Sequence, residues 1–364
     1  MNDSRNITVG QATTILISTI IGVGVLALPL FAVRGADSGA PLVTLLGTML
    51  AFVGMVFISL LGMRFPNQSI IQYSEDIIGR WLAWIGSALA IAFFAILAAL
   101  IAREFGEVVI TAVLKNTPLE VTVLVMLIMA AVSSRKNLTT FAYIHYFYSP
   151  LLLFPVLIIV VLSLKNAEVI NLLPIWGNNP SGMLGGVLTT AALYQGAFVL
   201  TMVIPAMSKP QSALRVSIRG ILITGTLYVA IVIASVSVFG AEETKKLLWP
   251  TLELAKATSL PANILERLDA AFLAVWVTAV FTTLFSSYYF TIRSISQLFR
   301  LTDHRMLSYF VLPIVFILAM LPRNILEMYD IIQIVGRIGL LITIAYPGAL
   351  LLIAMMRRKR GDTA

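Results

Sequence analysis

The chain has 364 residues, of which 59% are hydrophobic and only 12% are charged. Soluble domains carry about 25% charged residues, so this composition excludes a water-soluble protein of the same size. The 25 Lys and Arg against 17 Asp and Glu give a net charge of +8. In so apolar a chain this excess indicates loops beside anionic lipid headgroups and no nucleic-acid partner. With no cysteine, the chain has no disulfide, thiolate metal site or cysteine nucleophile.

Ten apolar stretches follow one another along the chain. A membrane-spanning helix needs about 20 mostly apolar residues, and the fourth and ninth stretches are short by this measure. The stretches lie at roughly 8–33, 41–63, 81–102, 118–134, 141–164, 183–207, 213–239, 267–292, 306–321 and 331–356. The first lacks a cleavage-site pattern, so we expect it to be a retained span. The sequence predicts an all-α integral membrane protein with ten transmembrane helices in one domain over residues 1–364.

The basic residues predict the orientation of these spans. Residues 357–360 (RRKR) form the strongest basic cluster, and loops rich in Lys and Arg stay in the cytoplasm. Ten spans then place both the N- and the C-terminus there. Two connections are long: we expect residues 64–80 to hold a short interfacial helix inside, and residues 240–266 to hold one or two short helices outside.

The first and sixth spans carry helix-breaking residues at matching positions. The first has Gly22 and Gly24 followed by Pro29, and the sixth has Gly196 followed by Pro205. Glycine exposes the backbone, and proline removes a hydrogen-bond donor. Since these spans open two halves of opposite direction, the pattern predicts a five-plus-five inverted repeat with discontinuous helices 1 and 6, the repeats covering about 8–165 and 182–356. The alternative is that each break only kinks or packs a helix.

Such breaks predict a binding site made of backbone. A half-helix beginning near Gly24 presents N–H groups that favour a carboxylate. Half-helices ending near Ile21 and Gln195 present carbonyls that favour an ammonium, so a zwitterionic amino acid matches both. The candidate contacts are Ile21, Gly22, Val23 and Gly24, facing Tyr194, Gln195, Gly196 and Phe198.

Side chains of the third and eighth spans are further candidates. Phe94 and Leu97 lie at mid-membrane depth, where they would wall a pocket or pack in the core. Two adjacent hydroxyl pairs, Thr282 with Thr283 and Ser286 with Ser287, lie at similar depth. These hydroxyls would line the ligand pocket, ligate an ion or make interhelical hydrogen bonds, which are common for Ser and Thr in membranes.

Charged residues within spans are functional by default. Arg337 lies inside the tenth span, and we expect it to pair with Glu104 or Glu107 near the end of the third, in a structural or a gating ion pair. His145, near the inner end of the fifth span, is either interfacial or a proton relay. A capping and ion-pair cluster is expected at the start of the eighth span, formed by Glu266, Arg267 and Asp269.

Several segments carry a resemblance to a known family. They are QATTILISTIIGVGVLALP in the first span, WPTLELAKATSLPANILERLDAAFLAVW at residues 249–276, NLLPIWG at residues 171–177 and the short basic tail. With these segments the chain resembles the spore-germination permeases, the B subunits of nutrient germinant receptors, in the amino acid–polyamine–organocation superfamily. The likeness covers nearly the whole chain, and the superfamily's usual fold is the five-plus-five inverted repeat of the LeuT type.

The resemblance implies a role in sensing a small nutrient, typically an amino acid, at the spore inner membrane. A neutral ligand is expected because no acidic or basic side chain lies at the breaks. It also implies an A-type membrane subunit and a C-type lipoprotein as partners, with no cofactor and no metal. The alternative is an ion- or proton-coupled amino acid transporter of the same superfamily. An intramembrane enzyme is disfavoured, because the chain has no HExxH, no GxSxG and no paired intramembrane aspartates.

Overall fold

The structure, a computed structural model, describes residues 6–178, 180–258 and 268–361. Regular structure in these ranges is helical, apart from an isolated β-bridge between Ile7 and Met207. The α-helices are α1 (Val9–Ile20), α2 (Gly24–Ala36), α3 (Ala40–Arg64), α4 (Ile70–Ile78), α5 (Arg80–Ala112), α6 (Leu119–Ser133), α7 (Leu138–Ser163), α8 (Met183–Ala192), α9 (Leu200–Val203), α10 (Ala213–Thr244), α11 (Pro250–Ala257), α12 (Leu268–Leu298), α13 (Leu307–Met320), α14 (Ile325–Leu340) and α15 (Tyr346–Met356).

Several of these helices are long and apolar enough to cross a membrane. Within the described ranges six helical segments pass this test, and a seventh is the pair of α8 with residues 195–206, which bend by 43° at the break between them. Helices α1, α6 and α13 are apolar but shorter. The chain is therefore a multi-pass membrane protein.

The two long connections contain short helices, as expected from the sequence, and the third apolar stretch is helical throughout. Helix α4 lies within residues 64–80, and α11 lies within residues 240–266. Helix α5 runs to Ala112, beyond the third apolar stretch. Helix α10 bends at Gly240, whose φ of +73° lies in the left-handed region that favours glycine. The expected cluster of Glu266, Arg267 and Asp269 lies outside the described residues. For Glu266 and Arg267 this holds for the whole residue, and for Asp269 it holds for the side chain.

Polar side chains fix where several helices begin. The Thr8 side chain accepts from the N–H of Gln11, whose side chain accepts from the N–H of Thr8, so α1 starts with a capping box. Asn137 caps α7 and Asn324 caps α14 in the same manner, by accepting from backbone N–H groups of the first turn. These caps satisfy donors that hydrocarbon cannot satisfy.

The half-helices α2 and α8 pack closely through glycine. A Cβ atom on Gly35 would lie 2.6 Å from the Cα of Gly186, so neither position has room for a side chain. This contact brings the backbones of α2 and α8 together in the manner of small-residue membrane interfaces. The other half-helix of the first segment, α1, packs against α7 and α10. The two interrupted segments therefore lie at the centre of the bundle.

Candidate functional site

The first helical segment is interrupted at Gly22. Helix α1 ends at Ile20 and α2 begins at Gly24, so three residues between them are not helical. Within the described residues, the N–H groups of Gly22, Val23 and Gly24 have no acceptor. Because a helix N-terminus carries partial positive charge, this end of α2 favours an anionic group.

Two carbonyls at the end of α1, those of Ser18 and Ile20, already have side-chain donors. The carbonyl of Ser18 accepts from the hydroxyls of Thr282, at 2.9 Å, and Thr283, at 3.4 Å. The carbonyl of Ile20 accepts from the hydroxyl of Tyr228 at 2.8 Å. Helices α10 and α12 thus supply the donors that the broken helix lacks. The expectation that α1 presents free carbonyls to a ligand is wrong at these two positions.

The second interruption keeps its carbonyls free. Helix α8 ends at Ala192, and a 3₁₀ segment, Gln195–Val199, follows. Among the described residues no donor reaches the carbonyls of Ala192 and Leu193. The side-chain amide of Gln195 donates to the carbonyl of Gly336 at 2.5 Å, which ties the break to α14. The end of α8 therefore offers partial negative charge, and its contact with a ligand ammonium stays a prediction.

The two interrupted segments touch each other at glycine. A Cβ on Gly196 would lie 2.8 Å from both the carbonyl oxygen and the Cγ2 of Thr19. A Cβ on Gly22 would collide with the side chain of Thr283. Both glycines are needed, because a side chain at position 196 would meet the backbone of Thr19 and one at position 22 would meet the side chain of Thr283.

A cavity of about 90 Å³ lies between these segments, α5 and α14. Of the predicted site residues, it is lined by Val23, Gly24, Leu97, Glu104, Gln195, Gly196 and Thr283. The lining residues that sequence reasoning missed are Thr19, Ile20, Phe31, Leu100, Ile101, Thr189, Ala192, Leu193, Ile332, Gln333, Val335 and Gly336. Thr189 and Thr190 precede Gly196 in the sixth span as Thr13 and Thr14 precede Gly22 in the first, and this repeated pair is a signal that could have identified Thr189. No sequence signal indicated that α14 lines the cavity.

Other predicted residues lie beside the cavity without lining it. They are Ile21, Gly22, Phe94, Tyr194, Phe198, Thr282 and Ser286. Phe94 packs in an aromatic cluster, with ring centroids 4.4 Å from Phe290 and 5.4 Å from Phe198. The hydroxyl of Tyr194 shares a hydrogen bond with that of Thr48 at 2.7 Å. These side chains support the walls of the site.

A buried hydrogen-bond network joins α1, α7 and α12 next to the cavity. The Ser286 hydroxyl lies 2.7 Å from that of Thr19 and 3.1 Å from Nε2 of His145. The other ring nitrogen, Nδ1, lies 2.5 Å from the Ser18 hydroxyl. His145 is fully buried inside the protein, and both roles expected for it, interfacial residue and proton relay, stay predictions. The network holds the end of α1 against α7 and α12.

The charged side chains pair differently from expectation. Glu107 forms an ion pair with Arg103, one turn away on α5, at 2.8 Å. Arg337 donates from Nε to the hydroxyl of Thr189 at 3.1 Å and is exposed. Among the described residues no ion pair joins Arg337 to Glu104 or Glu107. The expected pairing is wrong because Glu107 has a nearer partner on its own helix.

Glu104 is instead held by a chain of aromatic hydrogen bonds. The Trp249 indole N–H donates to the Tyr329 hydroxyl at 2.8 Å, and that hydroxyl donates to Oε1 of Glu104 at 3.2 Å. Tyr329 also meets Phe31 edge to face, with ring centroids 5.5 Å apart. Since Phe31 and Glu104 line the cavity, this chain links it to the start of α11.

Comparison with known sequences identifies relatives over nearly the whole chain. Residues 6–328 match the Spore_permease family, described as "Spore germination protein". Spore germination protein YndE of Bacillus subtilis (strain 168) is 28% identical over 360 residues, which cover 99% of each chain. Spore germination protein A2 of the same organism is 25% identical over 293 residues, 80% of each chain.

Comparison with solved structures identifies transporters. A Na⁺-coupled sialic acid symporter in a substrate-bound outward-open state matches with a TM-score of 0.67 and 13% identity, over 96% of this chain and 78% of that one. MhsT in complex with L-phenylalanine matches with a TM-score of 0.68 and 12% identity, over 96% of this chain and 89% of that one. The fold is the LeuT-type fold of these transporters and not that of an enzyme.

Proposed function

The chain belongs to the spore germination permease family, and from this membership we propose that it is the ligand-sensing subunit of a spore nutrient germinant receptor. It binds a small, neutral amino acid at the membrane midplane and thereby triggers germination. The observation that carries the proposal is the cavity. It lies between N–H groups at the start of α2 and carbonyls at the end of α8 that have no partner among the described residues.

The two helix ends favour a zwitterion. A carboxylate at residues 22–24 accepts from the free N–H groups, and an ammonium near Ala192 and Leu193 donates to the free carbonyls. A cavity of about 90 Å³ is far below the size of sites for drug-like molecules, about 300–1,000 Å³. Size and polarity together support a small amino acid.

The same proposal includes the arrangement of ten spans as an inverted repeat. In it, span 1 is α1 with α2, and span 6 is α8 with residues 195–206. Contacts then occur in matched pairs: α1 packs on α10 and α7, as α8 packs on α3 and α14, and α5 packs on α13 as α12 packs on α6. Exchanging the two halves maps each contact onto its counterpart, which supports interrupted spans 1 and 6 in corresponding positions.

Location and partners belong to the proposal as well. We place the chain in the spore inner membrane with both termini in the cytoplasm, together with an A-type membrane subunit and a C-type lipoprotein subunit. The support is the family membership and the relatives, which are spore germination proteins. The excess of basic residues in the loops assigned to the inside supports the orientation.

A coupled transporter is the second candidate, because the fold is shared with a Na⁺-coupled symporter. Uptake of radiolabelled L-alanine into proteoliposomes separates the two functions. Saturable uptake driven by an ion gradient establishes a transporter, whereas binding without uptake supports a sensor. In this chain the hydroxyls of Thr282, Thr283 and Ser286 already have protein partners, which disfavours an ion site among them.

The cavity is tested by filling it. Leu97 lines the cavity, and Leu89 lies on the same helix with 57% of its surface exposed. We expect Leu97→Trp to abolish binding of glycine, L-alanine, L-valine and L-asparagine to the purified protein, and to abolish the nutrient response of spores. Leu89→Trp is the matched control and should behave as wild type. Wild-type binding by Leu97→Trp would place the ligand elsewhere.

A further inference from the structure

We infer that Glu104 recognises the amine of the ligand, so that the site accepts only compounds with a protonated amino group. The inference rests on the proposed function, since it concerns the same cavity, and it assigns the ligand's charge recognition to a side chain. From the sequence we expected a different role for Glu104, in a structural or gating ion pair with Arg337. The structure leaves that pair unformed.

Glu104 is a buried acid that faces the cavity. Its side chain lines the space while only 4% of the residue is exposed. It is the acidic residue among the lining side chains, which otherwise are apolar, amide or hydroxyl groups. Any cation that enters so small a space comes near this carboxyl group.

No protein cation neutralises Glu104 in the described part of the chain. No basic side chain lies within 4.0 Å of it there. The adjacent Arg103 is committed to Glu107, and its Nη1 donates to the carbonyl of Ala319. A buried charge without a partner is costly, so a ligand that brings a cation gains the interaction that the protein leaves open.

The hydrogen bonds of Glu104 fix it as an acceptor. Tyr329 donates its single hydroxyl proton to Oε1 and itself accepts from Trp249. This chain orients the carboxyl group and supplies no positive charge. A ligand ammonium has three N–H donors. In this cavity the acceptors for the ligand ammonium are the Glu104 carboxylate and the carbonyls of Ala192 and Leu193.

The occupied carbonyls of α1 strengthen the assignment. Two hydroxyls of α12 donate to Ser18, and Tyr228 donates to Ile20, so these oxygens have donors before any ligand arrives. An ammonium bound to the Ser18 or Ile20 oxygen would compete with these hydroxyls. At Glu104 it would meet a carboxyl group that, among the described residues, accepts only from Tyr329.

The test combines ligand analogues with a matched pair of variants. The probes are L-alanine and L-valine, their N-acetyl derivatives, and the amines ethylamine and isobutylamine, titrated calorimetrically into the full chain in nanodiscs. In wild type we expect the amino acids and the amines to bind and the N-acetyl compounds to fail. Glu104→Gln keeps the shape and removes the charge, and it should weaken binding of L-alanine and L-valine at least about tenfold, as expected for a hydrogen bond to a charged group.

Glu120→Gln is the control, because Glu120 is an exposed acid at the start of α6 that does not line the cavity. It should bind within about twofold of wild type, as expected for a surface substitution. Glu104→Asp, which keeps the charge, should retain the preference for free amines over N-acetyl compounds. The analogue series on wild type needs no folded variant and decides the question even if Glu104→Gln fails to fold.

The outcomes separate this inference from the proposed function. Binding of L-alanine by Glu104→Gln at wild-type affinity, or equal binding of the N-acetyl derivatives by wild type, overturns the role of Glu104 and leaves the proposed function intact. Failure of wild type to bind any amino acid or amine overturns both.

Discussion

At the residue scale, two neighbouring serines of α12 have different roles, and their hydrogen-bond partners determine the role of each. Ser286 and Ser287 are both buried, yet Ser286 contacts Thr19 and His145 on other helices whereas Ser287 donates to Thr283 on its own helix. Sequence reasoning placed both at pocket depth and could not separate them. The rotation of α12 about its axis determines the difference, and it depends on packing against α1 and α7.

We expect Ser286→Ala to destabilise the protein more than Ser287→Ala, by about 1–2 kcal/mol, because interhelical hydrogen bonds in membranes average ~0.6 kcal/mol and Ser286 makes two. Ser287→Ala removes a bond within one helix and serves as the control. Reversible unfolding in mixed detergent micelles measures the difference. Equal stabilities would mean that the network around His145 contributes nothing to holding α1.

At the element scale, glycine and proline act locally on a helix, so the ends of helices are open to prediction from sequence. The sequence predicted breaks at Gly22 and Gly24 and at Gly196, and the structure ends α1 at Ile20 and α8 at Ala192. That these ends divide spans 1 and 6 of an inverted repeat stays a prediction. What the breaks expose depends on neighbouring elements. Tyr228 covers a carbonyl of α1 from a distant helix, and no local pattern reveals such a partner. For the same reason, the sequence did not predict that residues of α14 line the cavity.

The contact of α2 with α8 predicts opposite responses at two adjacent glycines. A Cβ on Gly186 would lie 2.9 Å from Cγ1 of Val43 and 3.2 Å from the Cα of Gly35, whereas a Cβ on Gly185 meets only the flexible tip of Arg337. Gly186→Ala should therefore cost about 1–3 kcal/mol relative to Gly185→Ala through overpacking. Thermal unfolding in detergent tests this, and ligand affinity should fall for Gly186→Ala alone. If Gly185→Ala proves the worse variant, the packing of α2 on α8 is not as described.

At the scale of the whole molecule, composition and apolar periodicity were enough to predict an all-helical membrane protein. The finer count of ten spans stays a prediction. Helices α6 and α13 are shorter than a usual span, and the first span is divided between α1 and α2. Length alone cannot assign such elements, because short helices cross a membrane only when neighbours bury their ends. Loop charge supplies the independent signal for orientation.

The absence of cysteine makes the topology directly testable. Single cysteines at Lys115, Lys136 and Lys359, all exposed, should report the side of the membrane. In intact cells a membrane-impermeant maleimide should label Lys115→Cys, while Lys136→Cys and Lys359→Cys react only after permeabilisation. The cysteine-free parent measures background labelling. Labelling of positions 115 and 136 from one side would show that α6 does not cross.

The contact between Gly196 and Thr19 has a mechanical consequence. Thr19, in the last turn of α1, meets the backbone of Gly196 there through its carbonyl oxygen and its Cγ2, and the space between them does not admit even a Cβ atom. A shift of α1 would therefore displace the 3₁₀ segment, and a shift of that segment would displace α1. A small molecule bound beside this contact would act on both interrupted segments at once, so a nutrient of a few atoms would move more of the helical bundle than it touches.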